Sequence, residues 1–190
     1  MKVNPKEDKN LQKSLEAQRK QTRRLAYTGL LFALTLTFSY LESFLPPLGP
    51  FPLKYGLANT PIILAILDSG LPLALVLTLL KSAFALATRG AMAALLSLAG
   101  GLAAALIMWL ADRTSIGKIS LYLLSAVGAL SHNTGQLGVL LVLYGENMQV
   151  FLLGLFPLLL ILALASAWIT AILTHLILKN IPTDFESSKK

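Results

Sequence analysis

Polar side chains able to bind a solute lie inside two of the apolar segments of this sequence. Lys81 is near the middle of one segment, where inserting a charged side chain into a bilayer costs about 2.5–3.5 kcal/mol. In a later segment His132 and Gln136 stand four residues apart, on one face of a helix, and Asn133 lies beside that face. Ammonium, imidazole and carboxamide groups all form hydrogen bonds. Together they could line a polar cavity that binds a small solute.

A second interpretation of these four side chains stays open from the sequence. They could instead satisfy one another and backbone carbonyl groups as structural hydrogen bonds. We favour the cavity, because ionisable residues within membrane segments are usually functional. One histidine among amide side chains is weak evidence for a metal, which needs more ligands, and we expect no metal site.

Three more candidates for solute binding lie closer to the predicted outer face of the membrane: Lys54, Asn59 and Arg89. Lys54 and Arg89 are the two basic residues predicted outside, where they could attract an anionic solute. The alternative is that their side chains extend to the membrane interface and pair with Glu42 or Glu146. The sequence supports both interpretations equally.

The composition predicts that lipid surrounds most of the chain. Of the 190 residues 55% are hydrophobic and 13% are charged, and the mean hydropathy is +0.70. We therefore expect an all-α integral membrane protein, a compact bundle of about six transmembrane helices. The predicted segments are 25–45, 57–67, 71–88, 91–111, 121–144 and 150–178. The second is too short to cross a bilayer alone, so it is partly irregular or extended by the loop before it.

The placement of charge predicts the domain organisation and the orientation. Residues 1–24 hold eight of the 16 basic residues and run directly into an apolar segment, which is typical of a cytoplasmic flank rather than of a nucleic-acid-binding tail. Six crossings place 13 basic residues inside and two outside, with Lys81 within a segment. We expect a basic cytoplasmic segment 1–24, a transmembrane domain 25–178 and a polar cytoplasmic tail 179–190.

Enzymatic chemistry has little support in the sequence. Cysteine is absent, which excludes disulfides, thiolate metal sites and cysteine nucleophiles. We find no paired-carboxylate motif for magnesium and diphosphate, no phosphate-binding glycine loop, no metalloprotease helix and no nucleophile elbow. We expect a protein that is not an enzyme and carries no cofactor.

Small residues recur every four positions in three predicted helices, which is typical of close helix packing in membranes. The fourth helix carries Ala93, Ser97, Gly101 and Ala105, and the sixth carries Ala163, Ala167 and Ala171. Packing within the chain is sufficient to explain both rows. The first helix carries Gly29 and Ala33, and this pair could instead contact a partner protein.

Three stretches resemble the heptaprenyl diphosphate synthase component I family, also called the Gx transporter family. They are residues 24–33, 54–59 and 131–137, of which the last, Ser-His-Asn-Thr-Gly-Gln-Leu, is the most specific. The resemblance extends over about residues 22–180. That family is similar in size and helix number to the substrate-binding S components of energy-coupling-factor transporters.

This similarity implies six helices and a solute site open to the outside. It also implies a first helix whose Gly29 and Ala33 dock on a transmembrane coupling subunit. Energy would come from separate ATPase subunits, because this chain has no nucleotide-binding motif.

We therefore expect a substrate-binding transporter subunit in a bacterial cell membrane, in contact with membrane lipids. The candidate solutes are small and anionic or vitamin-like. The alternative is a non-catalytic membrane partner of an isoprenoid- or quinone-pathway enzyme, since the family name suggests an isoprenoid context while the acidic motifs of prenyl synthases are missing.

Overall fold

The computed structural model describes residues 5–44, 57–114, 119–145 and 149–180, and the regular structure within them is entirely helical. This confirms the predicted all-α class. The helices are α1 (Pro5–Ser43), α2 (Thr60–Ser69, preceded by a 3-10 turn at Leu57–Asn59), α3 (Leu71–Arg89), α4 (Ala91–Thr114), α5 (Leu121–Tyr144) and α6 (Gln149–Asn180).

Five helices of the described part are long and apolar enough to cross a membrane, which makes the chain a multi-pass membrane protein. The remaining apolar helix, Leu57–Ser69, is too short to cross alone. Helix α1 begins at Pro5, well before the predicted membrane segment, so the basic part of the chain is continuous with the first span. Leu, Lys, Arg, Gln and Glu dominate this extension, and all of them are strong helix formers.

Single glycines connect α2 to α3 and α3 to α4. Gly70 and Gly90 have φ angles of 79° and 85°, in the left-handed region that favours glycine. These one-residue connections reverse the chain, so each of the three helices runs against its neighbour. Tyr27 of α1 is within electrostatic range of Asp68, at the end of α2. Tyr27 and Asp68 therefore lie at the end of the bundle next to the basic N-terminal part of α1. We call the opposite end, which contains Arg89, the distal end.

Helix α2 lies in the centre of the bundle. Around it, α1 packs on α3, α3 on α4, α4 on α5 and α5 on α6, while α2 contacts α1, α3, α4 and α6. Every residue from Thr60 to Ile66 is buried. A helix that ends partway across a membrane is tolerated where protein encloses it, because its terminal N–H groups then avoid lipid. Enclosure therefore explains why the second segment is so short.

The small-residue rows of α4 and α6 lie at helix contacts. A Cβ on Gly101 would come 2.6 Å from Thr78 Cγ2 of α3. Ala163 and Ala167 of α6 are buried and pack with Ala129 of α5. By contrast, a Cβ on Gly29 of α1 would meet nothing within 4 Å. Packing within the chain thus uses the rows of α4 and α6, and it leaves Gly29 on the outer surface.

Candidate functional site

The only described side-chain hydrogen bond of Lys81 is to Asn59, in the first turn before α2. Lys81 Nζ donates to Asn59 Oδ1 over 3.1 Å, and the two side chains are 0% and 2% exposed. Lys81 is the eleventh of the 19 residues of α3, about 15 Å along that helix. Since α2 runs back along α3 from Gly70, its N-terminal end lies near half depth of the bundle. An ionisable side chain is therefore held inside protein at the middle of the apolar layer.

A carboxylate from α1 reaches the same place. Glu42 is 4% exposed, and its Oε1 accepts a hydrogen bond of 3.1 Å from the backbone N–H of Ala58. Glu42 is also within electrostatic range of both Lys81 and Arg89. We call Glu42, Asn59, Lys81 and Arg89 the α2 N-terminal cluster. It brings together residues from α1, the 3-10 turn and the second half of α3.

Hydrogen-bonding capacity remains unused in the α2 N-terminal cluster. In the described part of the chain, four of its buried atoms make no hydrogen bond: Glu42 Oε2, Asn59 Nδ2, Arg89 Nε and Arg89 Nη2. Buried polar groups in folded proteins are nearly always paired, because an unpaired one costs about 1–3 kcal/mol. Each exception therefore requires an explanation, and a ligand that supplies the missing partners is one.

The predicted pair on α5 forms a second buried group. The Gln136 carboxamide nitrogen and His132 Nε2 are 2.9 Å apart, and both side chains are 0% exposed. Gly100 of α4 lies against the other side of the imidazole, since a Cβ there would be 2.8 Å from His132 Nδ1. The absence of a side chain at position 100 therefore gives the imidazole its space between α4 and α5.

Asn133 connects α5 to α6. Its Nδ2 donates to the backbone carbonyl of Leu159 over 3.2 Å, and the side chain is 9% exposed. A hydrogen bond from a side chain to a backbone carbonyl group is the structural role that the sequence left open as the alternative to solute binding for Asn133. It crosses between two helices that both carry apolar surfaces, so it helps to fix their register.

We predict that Asn133→Leu lowers the free energy of unfolding by about 0.6–1.7 kcal/mol, the range for hydrogen bonds between membrane helices. Thr134→Val is the matched control, because Thr134 is exposed and its hydroxyl donates to Leu130 O within the same helix. Unfolding of both variants in mixed micelles, followed by circular dichroism, measures the difference. Equal stabilities for the two variants would contradict a role for Asn133 in joining the helices.

The structure gathers three of the seven predicted solute-binding residues, Asn59, Lys81 and Arg89, in one cluster. It places His132 and Gln136 in a second group, with Asn133 beside them. Lys54 lies outside the described residues. From the sequence, Glu42 is expected as an ion-pair partner of Lys54 or Arg89 and not as one of the binding residues. The sequence signal that indicates Glu42 is its carboxylate inside an apolar segment, where lipid penalises a charge.

The side chains of the α2 N-terminal cluster can bind a polar ligand through hydrogen bonds and charge. Two basic side chains are within electrostatic range of the Glu42 carboxylate, which accepts a hydrogen bond from the first turn before α2, and Lys81 donates to the Asn59 amide there. In the described ranges no three His, Asp or Glu side chains are grouped as metal ligands. The arrangement can hold an electronegative group inside the membrane, where the low dielectric strengthens each contact.

Comparison with protein families gives a match over most of the chain. The model of the family described as heptaprenyl diphosphate synthase component I matches residues 31–177, from within α1 to the last turns of α6. The matched region contains both polar groups. Comparisons with curated proteins and with solved structures give no match.

Proposed function

We propose that this chain, which belongs to the heptaprenyl diphosphate synthase component I family, is the membrane-embedded, solute-binding subunit of a small-molecule transporter. The solute is small and anionic or vitamin-like. The chain contributes the binding site, and separate subunits supply the energy.

The observation that carries this proposal is the buried Lys81–Asn59 hydrogen bond with unpaired polar atoms around it. A purely structural network gains most when all of its members are satisfied, because partly satisfied buried networks are costly. Discontinuous helices that end at mid-bilayer are also a recurrent way of building transporter sites. Binding of a solute would supply the partners that the unpaired atoms lack.

The remaining predicted residues have proposed roles around this centre. His132 and Gln136 would contact a second polar part of the solute, and Asn133 would fix their helix against α6. Lys54 and Arg89 would attract the solute at the distal end, which we propose faces the outside of a bacterial cell. The cytoplasmic basic segment 1–24 and tail 179–190 would then lie on the opposite side, in agreement with the charge bias.

The direct test is to purify the protein in lipid nanodiscs and identify any molecule retained at one copy per chain by native mass spectrometry. We expect a small bound solute, saturable rebinding after its removal, and uptake of that solute by cells that express the chain. A protein that retains nothing and binds none of the cell's small metabolites would contradict the proposal.

Docking on a transmembrane coupling subunit is proposed for the exposed face of α1. Gly29 and Ala33 are both exposed there and lie one turn apart, so a partner helix could approach closely. We predict that Gly29→Leu with Ala33→Leu reduces co-purification of the coupling subunit at least tenfold. Leu30→Ala, on the same exposed face of α1, is the control that removes apolar area without blocking approach. Unchanged co-purification in the double variant would remove this face from the interface.

A second candidate function rests on the family name, which describes one component of a synthase. The chain would then be a non-catalytic membrane partner of component II of that enzyme. This function predicts co-purification with a soluble prenyl synthase and no saturable solute binding. The nanodisc experiment separates the two functions, because each predicts a different bound species.

A further inference from the structure

We infer that the N-terminal end of α2 binds an oxyanion that carries a single negative charge, as a carboxylate or a phosphodiester would present. This inference rests on the proposed function and names the chemical class of its solute. It also assigns Glu42 as the residue that sets the permitted charge.

The binding position is the first turn at Leu57–Asn59, which continues into α2. Asn59 has φ −81° and ψ −16°, so the helical backbone passes through it, and its side chain makes no capping hydrogen bond. The first N–H groups of a helix have no partner within the helix and carry a partial positive charge. Here Ala58, Asn59 and Thr60 are buried, and the N–H of Ala58 already donates to Glu42 Oε1. A helix end in this situation favours an anion.

Independent observations point to a ligand at this helix end. Asn59 Nδ2 is an unpaired donor on a side chain that is 2% exposed. Arg89 Nε and Nη2 are buried, unpaired donors of one guanidinium. Two such N–H groups can form the paired hydrogen bonds with which arginine binds carboxylate or phosphate oxygens. The cluster thus contains three donor atoms, from Asn59 and Arg89, that have no acceptor in the described part of the chain.

The charge of the cluster limits the ligand to one negative charge. When all three groups are ionised, Lys81 and Arg89 contribute two positive charges and Glu42 contributes one negative charge, while Glu42 Oε1 accepts a hydrogen bond from the Ala58 N–H. One positive charge and the helix end therefore remain to be balanced. A second negative charge on the ligand would be uncompensated at low dielectric, where like charges repel strongly.

The test compares formate with formamide, its neutral isostere, on the whole chain in detergent with chloride, which is not an oxyanion, as the background anion. We expect formate at roughly ten times its Kd to raise the Tm by about 3–6 °C, while formamide changes it little. Lys81→Met and Arg89→Met should each lose most of the shift, whereas Lys179→Met, at an exposed lysine, should keep it. Equal shifts for formate and formamide, or a formate shift that survives in both variants, would overturn the inference.

The role of Glu42 is tested with sulfate, a dianion. Wild type should show little shift with sulfate, and Glu42→Gln should show one comparable to that of formate, because the competing carboxylate is gone. Glu16→Gln, at an exposed site in α1, is the matched control. A sulfate shift of equal size in wild type and Glu42→Gln would contradict the assignment. Dihydrogen phosphate near pH 5.5 then compares the two classes of ligand. A Tm shift larger than that of formate indicates that the site prefers phosphate, and a smaller one indicates that it prefers carboxylate.

The two proposals can fail separately. Retention of a solute by native mass spectrometry without any formate shift would leave solute binding in place and overturn the anion site. A formate shift that requires Lys81 and Arg89, in a protein that neither retains nor transports a solute, would leave the anion site in place and contradict transport.

Discussion

Lys81→Met is expected to weaken solute binding by about 10- to 150-fold. The change removes a charged donor from the mid-bilayer cluster, and a hydrogen bond that involves a charged group contributes about 1.5–3 kcal/mol. Methionine is similar to lysine in length and flexibility, so the core around α2 can keep its packing. Equilibrium binding of the retained solute to wild type and variant in nanodiscs measures the effect.

The stability of the same variant separates a binding role from a structural one. Lys81→Met leaves the buried Asn59 Oδ1 without its donor and removes a positive charge near the buried Glu42. Removing one partner of a buried polar pair is destabilising, so we expect the Tm of Lys81→Met to fall as well as its solute affinity. Lys179→Met removes an equal charge from an exposed position at the end of α6 and should affect neither property. A lower Tm with unchanged solute affinity would assign Lys81 to structure alone.

Gly135→Ala should lower the free energy of unfolding by about 1–3 kcal/mol. A Cβ at this position would come 2.7 Å from the backbone oxygen of Ala99 and 3.0 Å from Gly100 Cα. Both are backbone atoms of α4, so no side chain can rotate away and the two helices must separate. For a chain of this size the expected decrease in Tm is about 2–12 °C, by thermal unfolding in detergent.

The control for this variant lies one turn along the same helix. Gly138 is exposed, and a Cβ there would meet nothing within 4 Å. Gly138→Ala should therefore leave the Tm unchanged or raise it, because alanine favours helix more than glycine does. Equal effects of the two substitutions would show that helix propensity, rather than the α4–α5 contact, determines the outcome.

The contact between α4 and α5 also positions the second polar group. Gly100 and Gly135 let the two helices approach, and the same approach places the His132 imidazole against position 100. A variant that separates the helices would move His132 and Gln136 relative to α2. We therefore expect solute affinity to fall in Gly135→Ala as a consequence of the altered spacing.

Several features of this protein follow from local sequence. Long apolar segments predict the helices, and the bounds of α3, α4 and α5 agree closely with the predicted segments. Hydropathy and length succeed here because each spanning helix must satisfy its own backbone hydrogen bonds within the segment. The four-residue rows of small side chains likewise predict close contacts, because the period of a helix places such residues on one face. The polar side chains in these segments could be recognised because lipid penalises them.

The tertiary structure alone decided which of these groups meet. Asn59 and Lys81 are 22 residues apart, and Glu42 lies 16 residues before its partner Ala58, so no helical period relates them. Apolar faces do not specify a partner helix in a membrane, because lipid chains and protein interiors are similarly apolar. The position of each helix depends on shape, through contacts such as that of Gly135 with Ala99. That packing puts the short helix α2 at the centre of the bundle and turns Glu42 from a candidate surface ion pair into part of a buried cluster.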